Sequence, residues 1–291
     1  EVSDEKNQKF YTEKYGVTHP TKAGLKIPQM FDAAIKKDIK GIWIIGEDIV
    51  QTDPNSAHVI EAMNSLELLV VQEIFMSETA KLATVVLPGT TFLEKDGTFT
   101  NTERRIQRVN RAVPPLPGTK PDGLIVTEMM QKLGFDQPSY DADQVLEEIA
   151  DIVPFFKGVT RERLGKFGLQ WPVKEDGTDT QILHTETFKL GKGRLKNFDW
   201  KESSEIEANQ KDYPLILTTS RVLQHYNAAT MTRRTKNINI VDEDVLLIHP
   251  KDAAHRDLNT GDIGRLYSGR GEVALKVEVT DKVKEGIVFT T

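Results

Sequence analysis

Four arginines, Arg104, Arg105, Arg108 and Arg111, crowd the stretch EKDGTFTNTERRIQRVNRAV at 94–113. Guanidinium forks at that density could hold phosphate, carboxylate or nucleic acid. The local pattern leaves two structural readings. Thr100-x-x-Glu103 fits a capping box that would place Arg104, Arg108 and Arg111 on one helical face. Asp96-Gly97 followed by TFTNT fits a hairpin. A formal charge of −6 on the whole chain argues against a general polyanion binder, which would carry a basic excess. Other chemistry-bearing residues stand in GEDIVQT (46–52), QEIF (72–75), PGTT (88–91) and RVLQHYN (221–227). Taken alone, an aspartate such as Asp48 or Asp122 reads as a turn or cap residue, and His225 as an ordinary core or surface histidine. The remaining histidines, His19, His58, His184, His249 and His255, show no metal-ligand spacing. Cysteine is absent, which excludes a thiolate nucleophile, a thiolate-bound iron–sulfur cluster and a Cys-type zinc site within this chain. There is no G-x-G-x-x-G, so a nicotinamide or flavin fingerprint is missing.

The elements that would position these residues follow from hydrophobic period. FDAAIKKDI carries Phe31, Ala34 and Ile35 on one face of a helix, and GIWIIG is a short apolar run ending in glycine. DPNSAHVIEAMNSL predicts a helix capped by Asp53 with Pro54 at its first position, followed by the apolar run LELLVV. SETAKLA and TVVLPG supply a third helix and strand. Strands at 42–45, 68–71 and 84–87 separated by helices predict a parallel α/β sheet. Such sheets bind ligands outside the carboxyl ends of their strands, which is where 46–52, 72–75 and 88–91 fall. From 114 to 210 loop signals surround two helix candidates, LIVTEMMQKLG and ADQVLEEIADIV. After Tyr213 the text turns to strands, YPLILTT, DVLLIHP, DIGRLYSG, GEVALKVEVT and GIVFTT, with one short helix, PKDAAHRDL, so a small closed β-barrel is expected. No apolar run approaches the roughly 18 residues of a membrane helix, and the first 25 residues lack a secretory core.

ETAKLATVVLPGTTFLEKDGTFTNTERRIQRVNRAV (78–113), GEDIVQTDPNSAHV before it and TTSRVLQHYNAATMTRR (218–234) after it together resemble the large subunit of molybdenum- or tungsten-dependent formate dehydrogenases, in the molybdopterin oxidoreductase family. FGLQWP at 167–172 and ILHTETF at 182–188 extend the likeness. The resemblance implies a C-terminal part of such a subunit: a partial Rossmann-like α/β domain at 1–113, a connecting region at 114–210, and a six-stranded double-psi-type β-barrel at 211–291. It implies bis-molybdopterin guanine dinucleotide with Mo or W as cofactor in the intact parent. An N-terminal half would carry the iron–sulfur cluster and the metal ligand. Partners would then be that N-terminal half and electron-transfer subunits, with no nucleic acid and no membrane segment, in the cytoplasm. The chain alone would oxidise no formate.

Carried over by position, Gly46, Asp48 and Thr52 would lie on one nucleotide, with Gln72 and Glu73 on the next loop, Gly89 on the third and Asp122 beyond PGTKP. A carboxylate suits guanine because two oxygens can accept N1–H and N2–H together. Glycine suits backbone that must touch phosphate. In the barrel, Arg221, Val222, His225, Tyr226 and Asn227 match the family's pterin-contacting loop, with His225 expected near the metal-bound dithiolene. Three positions depart from the family's usual pattern: Ile49 in place of proline, Glu73 in place of aspartate, and Gly123 where a tryptophan often follows the aspartate. The family likeness favours extended structure for the arginine stretch and an interface toward the iron–sulfur portion. Two alternatives remain at this stage, another molybdopterin oxidoreductase acting on nitrate or an oxyanion, and a metal-free electron-transfer scaffold.

Overall fold

The computed structural model describes residues 4–269 and 271–291. It divides into two compact units, one built from the residues up to Phe99 with Arg108–Leu146, the other from Thr100–Gln107 with Glu147–Thr291.

The first unit holds the expected parallel sheet. Strands β1 (Gly41–Ile45), β2 (Leu68–Glu73) and β3 (Val85–Pro88) lie in the order β1-β2-β3, with Ile44 opposite Val71 and Val71 opposite Val86. Helices Ile27–Ile35 and Ser56–Asn64 cover it. Phe31, Ala34, Val59, Ala62 and Met63 meet Ile44, Leu69 and Val71 in one buried cluster, which fixes where the strand ends emerge. One predicted cap differs. The helix begins at Ser56 with Asn55 as its cap, accepting from the His58 amide at 3.4 Å. Asp53 instead terminates the short helix Ile49–Thr52 and accepts from the Asn55 amide at 2.9 Å. The chain needs Pro54 to turn between two helices, so the aspartate serves the turn rather than the second helix.

The arginine stretch is extended. Strands β4 (Gly97–Thr100) and β5 (Arg105–Val109) form the arms of a hairpin, and the capping-box helix is absent. Its turn is at 101–104, not at Asp96-Gly97. Asn101 Oδ1 accepts from the amides of Glu103 and Arg105, and Arg104 sits at φ +65. Arg105 pairs beyond with Gln170 of β6 (Leu169–Gln170). Arg104 donates to the carbonyls of Trp171, Thr180 and Gln181 and lies 5.8 Å from the Trp171 ring centroid. It is an internal staple. Arg104→Ala should lower unfolding free energy by about 1.5 kcal/mol, the order of a charged donor's net hydrogen bonding, as read by urea denaturation. A change under a few tenths would remove the staple.

The second unit carries a mixed sheet of five strands, β7 (Ile216–Thr219), β8 (Val245–Ile248), β9 (Ile263–Ser268), β10 (Gly271–Val279) and β11 (Ile287–Thr290), in the order β7-β11-β8-β10-β9. β7 with β11 and β8 with β10 run parallel; β11 with β8 and β10 with β9 run antiparallel. Leu246, Ile248, Ala253, Val277 and Val288 form its core. Among the described residues this sheet has five strands, where six were expected. Between β7 and β8 the chain spends its residues on a long loop with 3₁₀ turns at Thr232–Arg234 and Lys236–Asn239. No helix among the described residues is long and apolar enough to cross a membrane.

Candidate functional site

At the carboxyl ends of β1, β2 and β3 lie five of the expected residues, Gly46, Gln72, Glu73, Gly89 and Asp122. Gly46, at φ +63, donates its amide to the Gln72 carbonyl at 2.9 Å, and the Gly89 amide donates to the Glu73 carbonyl at 2.9 Å. Asp122 opens the helix Asp122–Lys132, and its Oδ1 accepts from Gln72 Nε2 at 2.8 Å while Oδ2 accepts from Lys95 Nζ at 2.6 Å. A Cβ at position 89 would stand 3.2 Å from Asp122 Oδ1, so glycine there lets the carboxylate sit against the strand end. Burial pushes the Asp122 carboxyl up, but the bonds from Lys95 and Gln72 and the Lys95 charge outweigh it and hold the group below its ordinary value.

Because Gln72 Nε2 faces a carboxylate, its amide orientation is set. Its Oε1 is then left buried with no donor, in a residue that is 0% exposed. The Thr90 hydroxyl, one residue past Gly89, is likewise buried without a partner. Orphaned buried polar atoms are uncommon in a finished fold. A buried acceptor beside the Asp122 carboxylate is suited to a ligand that presents N–H groups.

Glu73 sits in that acidic corner. Burial pushes its carboxyl above the ordinary 4.5; the Ile74 amide at 2.7 Å opposes this, and Asp48 and Asp122 add to the rise. A raised carboxyl contributes stability that is fully present below 4.5 and lost as pH climbs through the folded value. Glu73→Gln should therefore unfold at a higher midpoint than the native chain at pH 7, with the difference closing below 4.5. Thermal melts across pH 3.5 to 7 read this, and a destabilised variant at pH 7 would contradict it.

Two expected ligand residues are engaged within the protein. Asp48 is 5% exposed, and its carboxylate accepts from the Glu78 amide at 3.3 Å, the Thr79 amide at 3.0 Å and the Thr79 hydroxyl at 2.7 Å. It ties the first strand-end loop to the helix Glu78–Lys81. The Thr52 hydroxyl donates to Glu47 at 2.7 Å. The departure at Gly123 also has a physical counterpart: a Cβ there would stand 2.2 Å from the Tyr140 ring, which fills the space beside Asp122. Sequence reading singled out neither Lys95 nor Tyr140, and took Thr90 only as part of the PGTT segment, because a lone lysine, threonine or tyrosine in a loop carries no periodic signal.

In the second unit, the loop after β7 presents Arg221 and Tyr226 to solvent, with Val222 half-buried. Arg221 makes no side-chain hydrogen bond or ion pair among the described residues. His225, expected near a cofactor, has both ring nitrogens hydrogen-bonded within the loop. It is 8% exposed, with Nε2 2.7 Å from the Val241 carbonyl and Nδ1 3.0 Å from the Thr232 hydroxyl. A carbonyl can only accept, so Nε2 carries a proton, and in the neutral ring Nδ1 accepts from the Thr232 hydroxyl. Thr232 Oγ1 in turn accepts from the Tyr226 amide at 3.2 Å, and Asn237 Nδ2 donates to the Gln224 carbonyl at 2.6 Å. Asn227 and Ala229 sit at φ +50 and +61; asparagine tolerates the left-handed region, but alanine does not adopt it cheaply, so the loop is held at Ala229. At its far end, Arg233 grips Asp244 with two bonds of 2.8 Å. Among the described residues no cluster of His, Asp and Glu could hold a metal ion.

Residues 11–132 match the model of the molybdopterin oxidoreductase family, and residues 215–291 that of the molydopterin dinucleotide binding domain. The F420-dependent formate dehydrogenase subunit alpha of Methanocaldococcus jannaschii is 40% identical over 289 residues, covering 98% of this chain and 43% of that subunit. A probable oxidoreductase of Bacillus subtilis, YjgC, is 38% identical over 99% of this chain and 29% of its own length. Acetylene hydratase from Pelobacter acetylenicus shares the fold at a TM-score of 0.72 with 20% identity, over 97% of this chain and 42% of the hydratase. The chain thus spans less than half the length of these relatives.

Proposed function

We propose, from the premise that this chain belongs to the molybdopterin oxidoreductase family and carries a molybdopterin dinucleotide binding domain, that it is the cofactor-holding portion of a formate dehydrogenase catalytic subunit. The likeness to formate dehydrogenase alpha subunits running through both units carries this reading. Bound molybdenum or tungsten in two pterin dinucleotides would supply the two-electron redox chemistry, with an iron–sulfur cluster elsewhere in the subunit receiving electrons. This chain binds and orients. Asp122, the unpartnered Oε1 of Gln72 and Glu73 would accept the N–H edge of a guanine, and Gly46 and Gly89 would leave room for the backbone to approach phosphate. Arg221 and the backbone of Tyr226 and Asn227 would meet the pterin side. Asp48, Thr52 and His225 would act through the loops they brace. A sixth strand closing the expected double-psi barrel would come from polypeptide outside this chain.

The direct test is formate-dependent dye reduction by the intact subunit; inactivity toward formate with full cofactor loading would sink the substrate assignment and leave the family. Arg221→Ala in that subunit should lower pterin and metal content several-fold, since a forked donor to an anionic ligand is lost while nothing in the fold depends on it. Metal analysis and an unchanged melting midpoint together read this. Native loading would take Arg221 out of the site.

A further inference from the structure

Phe188, Leu190, Leu195, Phe198 and Trp200 are 64%, 92%, 103%, 90% and 82% exposed. Residues 192–202 lie in no helix or strand, and no backbone hydrogen bond is made by them among the described residues. One exposed leucine is ordinary, but five large apolar side chains within thirteen residues are not. Nor is the composition that of a flexible linker, which would be rich in glycine, serine or proline and poor in aromatics. Over 188–201 five cations, Lys189, Lys192, Arg194, Lys196 and Lys201, face the single acid Asp199, a net of four positive charges in a chain of −6.

This segment has the properties of a strap lying on a surface that the chain does not supply. It falls within the 98% of the chain that aligns with a formate dehydrogenase alpha subunit, so it belongs to the shared body rather than to a terminal appendage. More than half of such a subunit lies outside this chain, since only 43% and 42% of two of them are matched. We infer that residues 188–201 dock along an apolar groove rimmed with acidic residues on the remainder of the same subunit. The apolar side chains enter the groove, and the cations meet its rim. The inference rests on the chain being part of a longer catalytic subunit, and its test needs neither cofactor nor formate, so it can fail while the functional reading stands.

Trypsin reads the strap directly, because Lys192, Arg194, Lys196 and Lys201 are its own cleavage sites. In the chain alone these bonds should be cut early; in the intact subunit, cutting should slow at least tenfold. The combined substitution Leu195→Asp, Phe198→Asp and Trp200→Asp should return the intact subunit to rapid cutting. In the chain alone it should leave circular dichroism and the melting midpoint unchanged, because these side chains are almost wholly exposed there. Equal cutting of chain and intact subunit would overturn the inference. So would protection of the lone chain by its own rising concentration, which points to a second copy, or protection that appears only with anionic lipid vesicles.

Discussion

Asp48→Ala should destabilise the first unit by about 3 kcal/mol, the sum expected when a buried carboxylate that accepts several bonds is removed and its donors are stranded. The carboxylate receives two amides at the start of Glu78–Lys81 and the Thr79 hydroxyl, and Thr79 Oγ1 accepts in turn from the Val50 amide at 3.1 Å. Alanine leaves the Glu78 and Thr79 amides without acceptors at a site shielded from water. Asp48→Asn should recover about half, because one amide oxygen still accepts while the NH₂ opposes an N–H. Urea denaturation of the chain in the absence of any ligand measures this. A loss below about 0.5 kcal/mol would mean that Asp48 is free for a ligand and that the bracing role is wrong. The two roles separate cleanly: a ligand contact alone would leave the empty protein's stability unchanged.

The distinction between bracing and binding is what the sequence did not reveal. Strands β1 to β3 were legible because a short apolar run between amphipathic helices has few alternatives, and their carboxyl ends then marked 46–52, 72–75 and 88–91. Which atoms in those segments stay unsatisfied depends on partners far along the chain: Thr79 takes up Asp48, while Gln72 is turned by Asp122 so that its Oε1 faces no donor. The hairpin was harder still. Thr100-x-x-Glu103 is a sound helix start locally, yet β5 has Gln170 to pair with, and Arg104 finds three carbonyls beyond residue 170. Tertiary pairing overrode a short-range signal. The helix Glu5–Tyr15 escaped sequence reading for a related reason: it buries none of its residues, so it writes no apolar stripe.

His225→Ala should cost about 2–3 kcal/mol, combining a lost buried ring with two stranded polar groups, the Val241 carbonyl and the Thr232 hydroxyl. The larger consequence is geometric. The Thr232 hydroxyl that accepts from the Tyr226 amide is itself held by the imidazole, so without the ring the turn through Asn227 and Ala229 loses the group that fixes its acceptor in place. Hydrogen exchange at the Tyr226 and Ala229 amides should accelerate by at least tenfold, Ala229 being bonded to the Tyr226 carbonyl at 2.9 Å. His225→Gln can place an N–H near the Nε2 position and should restore the Val241 bond but not the Thr232 one, giving partial protection. If the histidine worked by touching the cofactor itself, the alanine variant would lose pterin while exchange in the ligand-free loop stayed as it was. If it works by pinning the loop, pterin content and amide protection should fall together across Ala and Gln, in proportion to the bonds each variant retains.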